Sequence, residues 1–232
     1  MRQHLADRGE AERVLARAEL LAWNARDWDA LSRLYMPLQE ARRQRRQRCG
    51  EGVVKLDCVA RNERETIVPE AIVAAFPHGQ LLVAGWGTIE PSVSVRRIAA
   101  EQNLYVETFL AAAYPAGAPG RFVVAIVPTA DVALPPADGR PIDRLAQTLP
   151  PFSILIPDTD LVAGERVGSD ATFAETMATW ETLHAPFLAD ARHRTDPIQR
   201  MSGFRRTIEV DYACELAHQL LSMDARKMLQ HA

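Results

Sequence analysis

Cysteine is scarce in this chain. Cys49, Cys58 and Cys214 are the three present; they are odd in number, widely spaced and form no CxxC pair, which argues against a disulfide framework or a zinc knuckle. No apolar run approaches the ~18 residues that a membrane-spanning helix needs. The opening MRQHLADRGEAER is charged and lacks the apolar core of an export signal, so a reduced, cytoplasmic location and no membrane partner are expected. Neither charge sign dominates: the formal net charge is −3, and a surface coated for nucleic acid is not expected. Gly85-Trp86-Gly87 is no dinucleotide fingerprint, no GxxxxGK[ST] occurs, and there is no Gly-x-Ser-x-Gly elbow, so the common nucleotide cradles and the hydrolase nucleophile turn are missing. Nothing in the sequence names a reaction or a cofactor.

What is there is ordinary globular material, 232 residues with 47% hydrophobic and 25% charged side chains, enough for a full core. The stretch Gln80–Tyr114 organises the expectation. Gln80–Trp86 is a short apolar run suited to a buried strand. Gly87-Thr88-Ile89-Glu90-Pro91 breaks it, and Ser92 or Ser94 can cap a following helix. Val95, Ile98, Ala99, Val106, Phe109, Leu110 and Ala113 recur at helical spacing, which predicts one long helix from Val95 to Ala113. Further strands are expected over Val53–Ala60, Phe122–Val127 and Phe152–Ile156, with short helices at Glu70–Phe76 and Ile142–Thr148 and a loop over Leu161–Ser169. Strand, loop and helix in this order predict a three-layer α/β core over residues 51–169 whose sheet, of about four strands, is mainly parallel.

Helices flank that core. In residues 1–50, Ala11–Ala25 and a second helix beginning at Trp28 are separated by Arg26-Asp27, with Asp27 as the cap. Ala18 and Trp23, followed by Asp27-Trp28, Ala30-Leu31 and Leu34-Tyr35, give residues 11–48 a pattern that resembles one tetratricopeptide-type helical hairpin. The resemblance implies an antiparallel helix pair; it covers a single unit and transfers no peptide-binding residues. In residues 170–232, a helix over 170–192 divided or kinked by Pro186 precedes a long helix over Phe204–Leu229. The last helix has an apolar arc wide enough to pack on two neighbours or on a second copy of the chain.

Three sets of residues are candidates for function. Loops at the carboxyl ends of parallel strands converge where ligands bind, which selects Thr88, Glu90, Ser92, Arg96, Asp131, Asp158 and Asp160 for a small polar or anionic metabolite. Arg42, Arg45 and Arg46 belong to a group of five arginines between positions 42 and 48; a solvated helix end is expected there, and guanidinium forks also suit an acidic partner of a protein-interaction module. Glu181 with His184, and Glu215 with His218, are two Glu-x-x-His segments of the kind di-metal carboxylate bundles use. A helical wheel counts against a metal, because it places Glu215 and His218 at a polar margin. It puts His184 amid Phe173, Met177, Trp180 and Phe187, as a buried ring hydrogen-bonded within the core.

Overall fold

The computed structural model describes residues 3–49, 54–55, 59–117, 119–137, 152–160 and 170–230. The expected helix Ile142–Thr148 and loop Leu161–Ser169, and most of the expected strand Val53–Ala60, lie outside these. The chain divides into two compact units, Met1–Gln47 with His184–Ala232 and Arg48–Leu183. No helix among the described residues is long and apolar enough to cross a membrane.

The first unit is helical. α1 (Gln3–Ala25) and α2 (Trp28–Arg48) form a hairpin whose turn is closed by Asp27 N bonding Ala22 O and Arg26 N bonding Trp23 O. That pair of bonds, with Arg26 at φ 54°, is a Schellman ending. Asp27 then caps α2, its Oδ1 accepting from Ala30 N, as expected from the sequence. The last three helices of the chain, α6 (Ala185–His193), α7 (Pro197–Val210) and α8 (Glu215–Gln230), share a core with the hairpin: Leu31 and Tyr35 meet Ala191, Met201, Phe204, Ala217, Leu221 and Ala225. Gly203 lets α6 and α7 approach closely, since a Cβ there would lie 2.7 Å from Ala191 Cβ. The expected single helix Phe204–Leu229 is two helices, broken at Asp211–Cys214. Each buries its own face in this core, which accounts for part of the breadth of the apolar arc, while Leu216 and Met223 stay exposed.

The second unit holds a five-stranded sheet in the order β1-β2-β3-β4-β5: β1 (Val54–Lys55), β2 (His78–Trp86), β3 (Tyr105–Pro115), β4 (Arg121–Val127) and β5 (Ser153–Pro157). β1, β2 and β3 are parallel; β4 and β5 are antiparallel to their neighbours. The fold is mixed α/β, and the expectation of a mainly parallel sheet needs correction. Its cause is β3, which the periodicity assigned to the long helix. β3 is buried from Val106 to Tyr114 and, apart from Glu107 and Thr108, apolar along that run, so its pattern fits a helical period as well as a strand buried on both faces. Once Tyr105–Pro115 is a strand, only Ala116–Gly120 joins it to β4, too short for the crossover of a dozen or more residues that a parallel neighbour requires.

α3 (Pro69–Ala75) and α4 (Glu90–Glu101) pack Ile72, Val73, Val95, Ile98 and Ala99 on the sheet face of Leu81, Val83 and Val106. On the opposite face, Trp180 of α5 (Asp170–Thr182) meets Phe109 edge to face, ring centroids 4.5 Å apart. α4 stops where Asn103 adopts φ 56° and the amides of Leu104 and Asn103 bond Ala99 O and Ala100 O, a second Schellman ending. A β-branched side chain is poorly tolerated at positive φ. Asn103→Val is therefore expected to destabilise the chain by about 1–2 kcal/mol in urea unfolding, whereas Asn103→Gly leaves stability equal or higher.

Candidate functional site

The sheet directions decide where the strand-end residues fall. Trp86 is level with Ala113, and Pro157 pairs with Arg121, so the loops after β2, β3 and β5 leave one end of the sheet. β4 runs the other way, and Asp131, which follows it, leaves the opposite end. Thr88, Glu90 and Asp158 thus share a sheet end that Asp131 does not. Most of the set is also engaged locally. Thr88 Oγ1 accepts from Glu90 N, Glu90 Oε1 accepts from Ser94 Oγ, and the buried Ser92 donates to Ile89 O. Ser92 and Ser94 are not the caps of α4, whose N-cap position is Ile89. Arg96 donates through Nε and Nη2 to Thr108 O at 2.9 and 2.6 Å, which ties α4 to β3. Asp160 closes the short 3-10 turn that begins at Asp158. Local bonds thus engage Thr88, Glu90 and Ser92, and the tie to β3 engages Arg96.

The arginine-rich end of α2 is solvated at Arg43 but enclosed at Arg42, Arg45 and Arg46. Arg42 is largely buried, with Nη1 3.1 Å from His218 Nε2 and Nε 3.6 Å from Glu12 Oε1. Arg45 donates to Glu12 Oε2 at 3.0 Å, and Arg46 donates to Asp211 Oδ1 at 2.7 Å. Both guanidinium groups lie over the Tyr212 ring, 5.5 and 4.9 Å from its centroid. Arg43 forks onto Glu40, and Arg48 donates to Tyr105 Oη. Wheel geometry requires the arginines to point all round the helix; it does not reveal that α1, α7 and α8 carry carboxylates and rings to meet them.

Glu181 and Glu215 are exposed, and Glu215 Oε1 accepts from Gln219. His218, expected at a polar margin, is wholly buried. Its Nδ1 lies 2.7 Å from Cys214 O, so that nitrogen carries the proton and Nε2 accepts from Arg42. Burial, together with the Arg42 charge, holds the imidazole down at about pKa 4 and keeps it neutral at pH 7. His184 does not sit mid-helix; it is the N-cap residue of α6, with 22% of its side chain exposed. Its Nδ1 is shut off from solvent, has no hydrogen-bond partner, and stands 3.5 Å from Asp211 Oδ2. His184, Asp211 and Cys214 bring one ligand-type atom each within 4.8 Å of one another. Sequence reasoning named His184 and passed over Asp211 and Cys214, whose grouping depends on the α7–α8 break.

The hairpin has the other notable feature, an apolar cleft of about 610 Å³ lined by Ala18, Leu21, Ala22 and Ala25 of α1 and Ala30 and Leu34 of α2. Val14 and Leu21 on the same stripe of α1 are each 59% exposed.

His218 makes the first unit sensitive to acid. Its folded pKa, about 4, lies below the unfolded 6.5, so the unfolded chain binds the extra proton between these values. Stability is whole above pH 6.5 and falls as pH drops toward 4, by up to about 3 kcal/mol. Urea titrations from pH 7.5 to 4.5 are expected to show that decline, and His218→Gln to flatten it.

No family model, no curated protein and no solved structure matches this chain.

Proposed function

We propose that the chain is a protein-interaction module whose α1–α2 cleft receives an amphipathic helix with acidic flanks. The exposed apolar stripe carries the proposal: Val14, Ala18, Leu21 and Ala25 fall on one side of α1 at helical spacing, and Val14 and Leu21 stay largely in water. Buried Ala22 and Leu31 mark the opposite boundary, where the hairpin meets the core. A helical hairpin in a repeat array buries such a stripe against the next unit; here the stripe on α1 is exposed. The charge of the partner follows from the rim. Arg13 and Arg17 stand exposed beside the stripe on α1, whereas Arg33 and Asp27 both line the cleft and Arg33 is paired with Asp29, so acidic flanks would be favoured along α1 in register and in encounter rate.

A small polar ligand at the sheet edge has less support, because Thr88, Glu90, Ser92 and Arg96 are engaged by their own loop and helix or by β3 and Asp131 leaves the other end of the sheet. The forks of Arg42, Arg45 and Arg46 are likewise engaged by Glu12, His218, Asp211 and Tyr212, which leaves the partner contact to the cleft and its rim.

The test is selection from a displayed library of helical peptides with a fixed apolar stripe and varied flanks, against the whole chain. Acidic-flanked peptides are expected to enrich. Leu21→Asp is expected to weaken the selected peptides by about tenfold or more, with a melting temperature close to that of the unaltered chain because the site is exposed. Peptides that bind Leu21→Asp equally well, or selection without regard to flank charge, would refute the proposal.

A further inference from the structure

His184, Asp211 and Cys214 meet where α6, α7 and α8 come together; core packing accounts for Cys214 and the Arg46 pair for Asp211, but neither accounts for the buried His184 Nδ1. Asp211 ends α7, where Cys214 N bonds its carbonyl and Ala213 N bonds Oδ1. This compact turn sets Cys214 immediately ahead of α8. Cys214 directly precedes Glu215, the first residue of α8, so its side chain stands at the positive end of a helix. His184 enters from the start of α6. We propose that these three side chains bind a divalent, borderline-soft transition-metal ion of the zinc class, through His184 Nδ1, Asp211 Oδ2 and Cys214 Sγ.

Two observations carry the inference. The first is the orphaned nitrogen: His184 Nδ1 has no access to solvent and no hydrogen-bond partner, a costly state for a buried ring nitrogen and one that a metal bond removes. The second is spacing. At 3.5 Å the approach of Nδ1 to Asp211 Oδ2 makes no hydrogen bond, yet ligand atoms at about 2.0–2.2 Å from a tetrahedral zinc stand about 3.4 Å apart. Histidine nitrogen, carboxylate oxygen and thiolate sulfur are also the donor set zinc takes, and three protein ligands leave a fourth position for water or a small ligand. Binding releases the Cys214 proton to solvent. Burial pushes that thiol up, but a coordinating cation deprotonates it outright. The carboxylate and thiolate then balance the two positive charges. Arg46, on the other oxygen of Asp211 at 2.7 Å, acts as the outer hydrogen-bond partner that orients a metal-bound carboxylate. The site does not use the second Glu-x-x-His segment, since His218 faces Arg42.

The experiment is a titration of the whole chain, purified without a metal-affinity tag and stripped by chelation, with cobalt(II) as a spectroscopic substitute for zinc. Uptake of one equivalent is expected, with tetrahedral visible absorption and a strong thiolate-to-cobalt charge-transfer band that zinc abolishes by displacement. Cys214→Ser places a favoured N-cap hydroxyl ahead of α8 and should fold, as far-ultraviolet circular dichroism would verify, but lose the charge-transfer band. His184→Gln should lose stoichiometric uptake. Cobalt uptake without the thiolate band, uptake in Cys214→Ser with an unchanged spectrum, or no uptake by the folded chain would overturn the assignment. None of these outcomes depends on peptide binding at the α1–α2 cleft.

Discussion

The helical unit depends on one half-buried carboxylate, that of Asp211. Its position at the end of α7 breaks what would be a continuous apolar helix, and the break lets α7 and α8 present separate faces to the hairpin. Its Oδ1 holds Arg46 of α2 and the amide of Ala213, while Oδ2 faces His184. Removing one partner of such a pair leaves the other charge incompletely solvated, which costs more than the pair itself contributes. Chain segments far apart in sequence, around positions 46, 184 and 211–214, are brought together at this point.

A second network accompanies it along α2. Glu12 receives Arg42 and Arg45, Glu19 receives Tyr35 and Arg205, and Arg205 also lies 4.4 Å over the Trp23 ring. Long arginine stems cover apolar surface while their forks meet carboxylates. That is how Arg42, Arg45 and Arg46 come to lie within the helical unit. Such contacts fix a register among helices whose apolar faces alone would tolerate sliding. They also consume the charge that a sequence reader would assign to an external anionic partner.

In the sheet unit the governing constraint is the length of Ala116–Gly120. A parallel β1-β2-β3 half and an antiparallel β3-β4-β5 half meet at β3, so only part of the sheet has the geometry in which strand ends gather a ligand. Segment Pro128–Ala137 returns over the sheet, with Tyr114 donating to Pro135 O and Leu134 packed on Ala112 and Val123. It comes close to Gly87, where a Cβ would lie 2.7 Å from Ala137 Cβ. The loop after β2 is therefore packed as well as capped.

Local chemistry in the sequence by itself determined several elements. Asp27 caps α2, Pro69 opens α3, Pro186 divides the helix after residue 170, and the run up to Trp86 makes β2, because in each case a residue's own conformational preference or hydrogen-bonding reach settles the matter. The candidate cleft was half legible, in a hairpin pattern that marked the helices without marking the face left uncovered. The tertiary structure alone decided that Tyr105–Pro115 is a strand, since full burial removes the period that separates strand from helix. It decided that His218 rather than His184 is the wholly buried imidazole, because Arg42 arrives from a helix more than a hundred positions earlier. It also assembled His184, Asp211 and Cys214, whose meeting requires a helix break that amphipathic spacing does not encode.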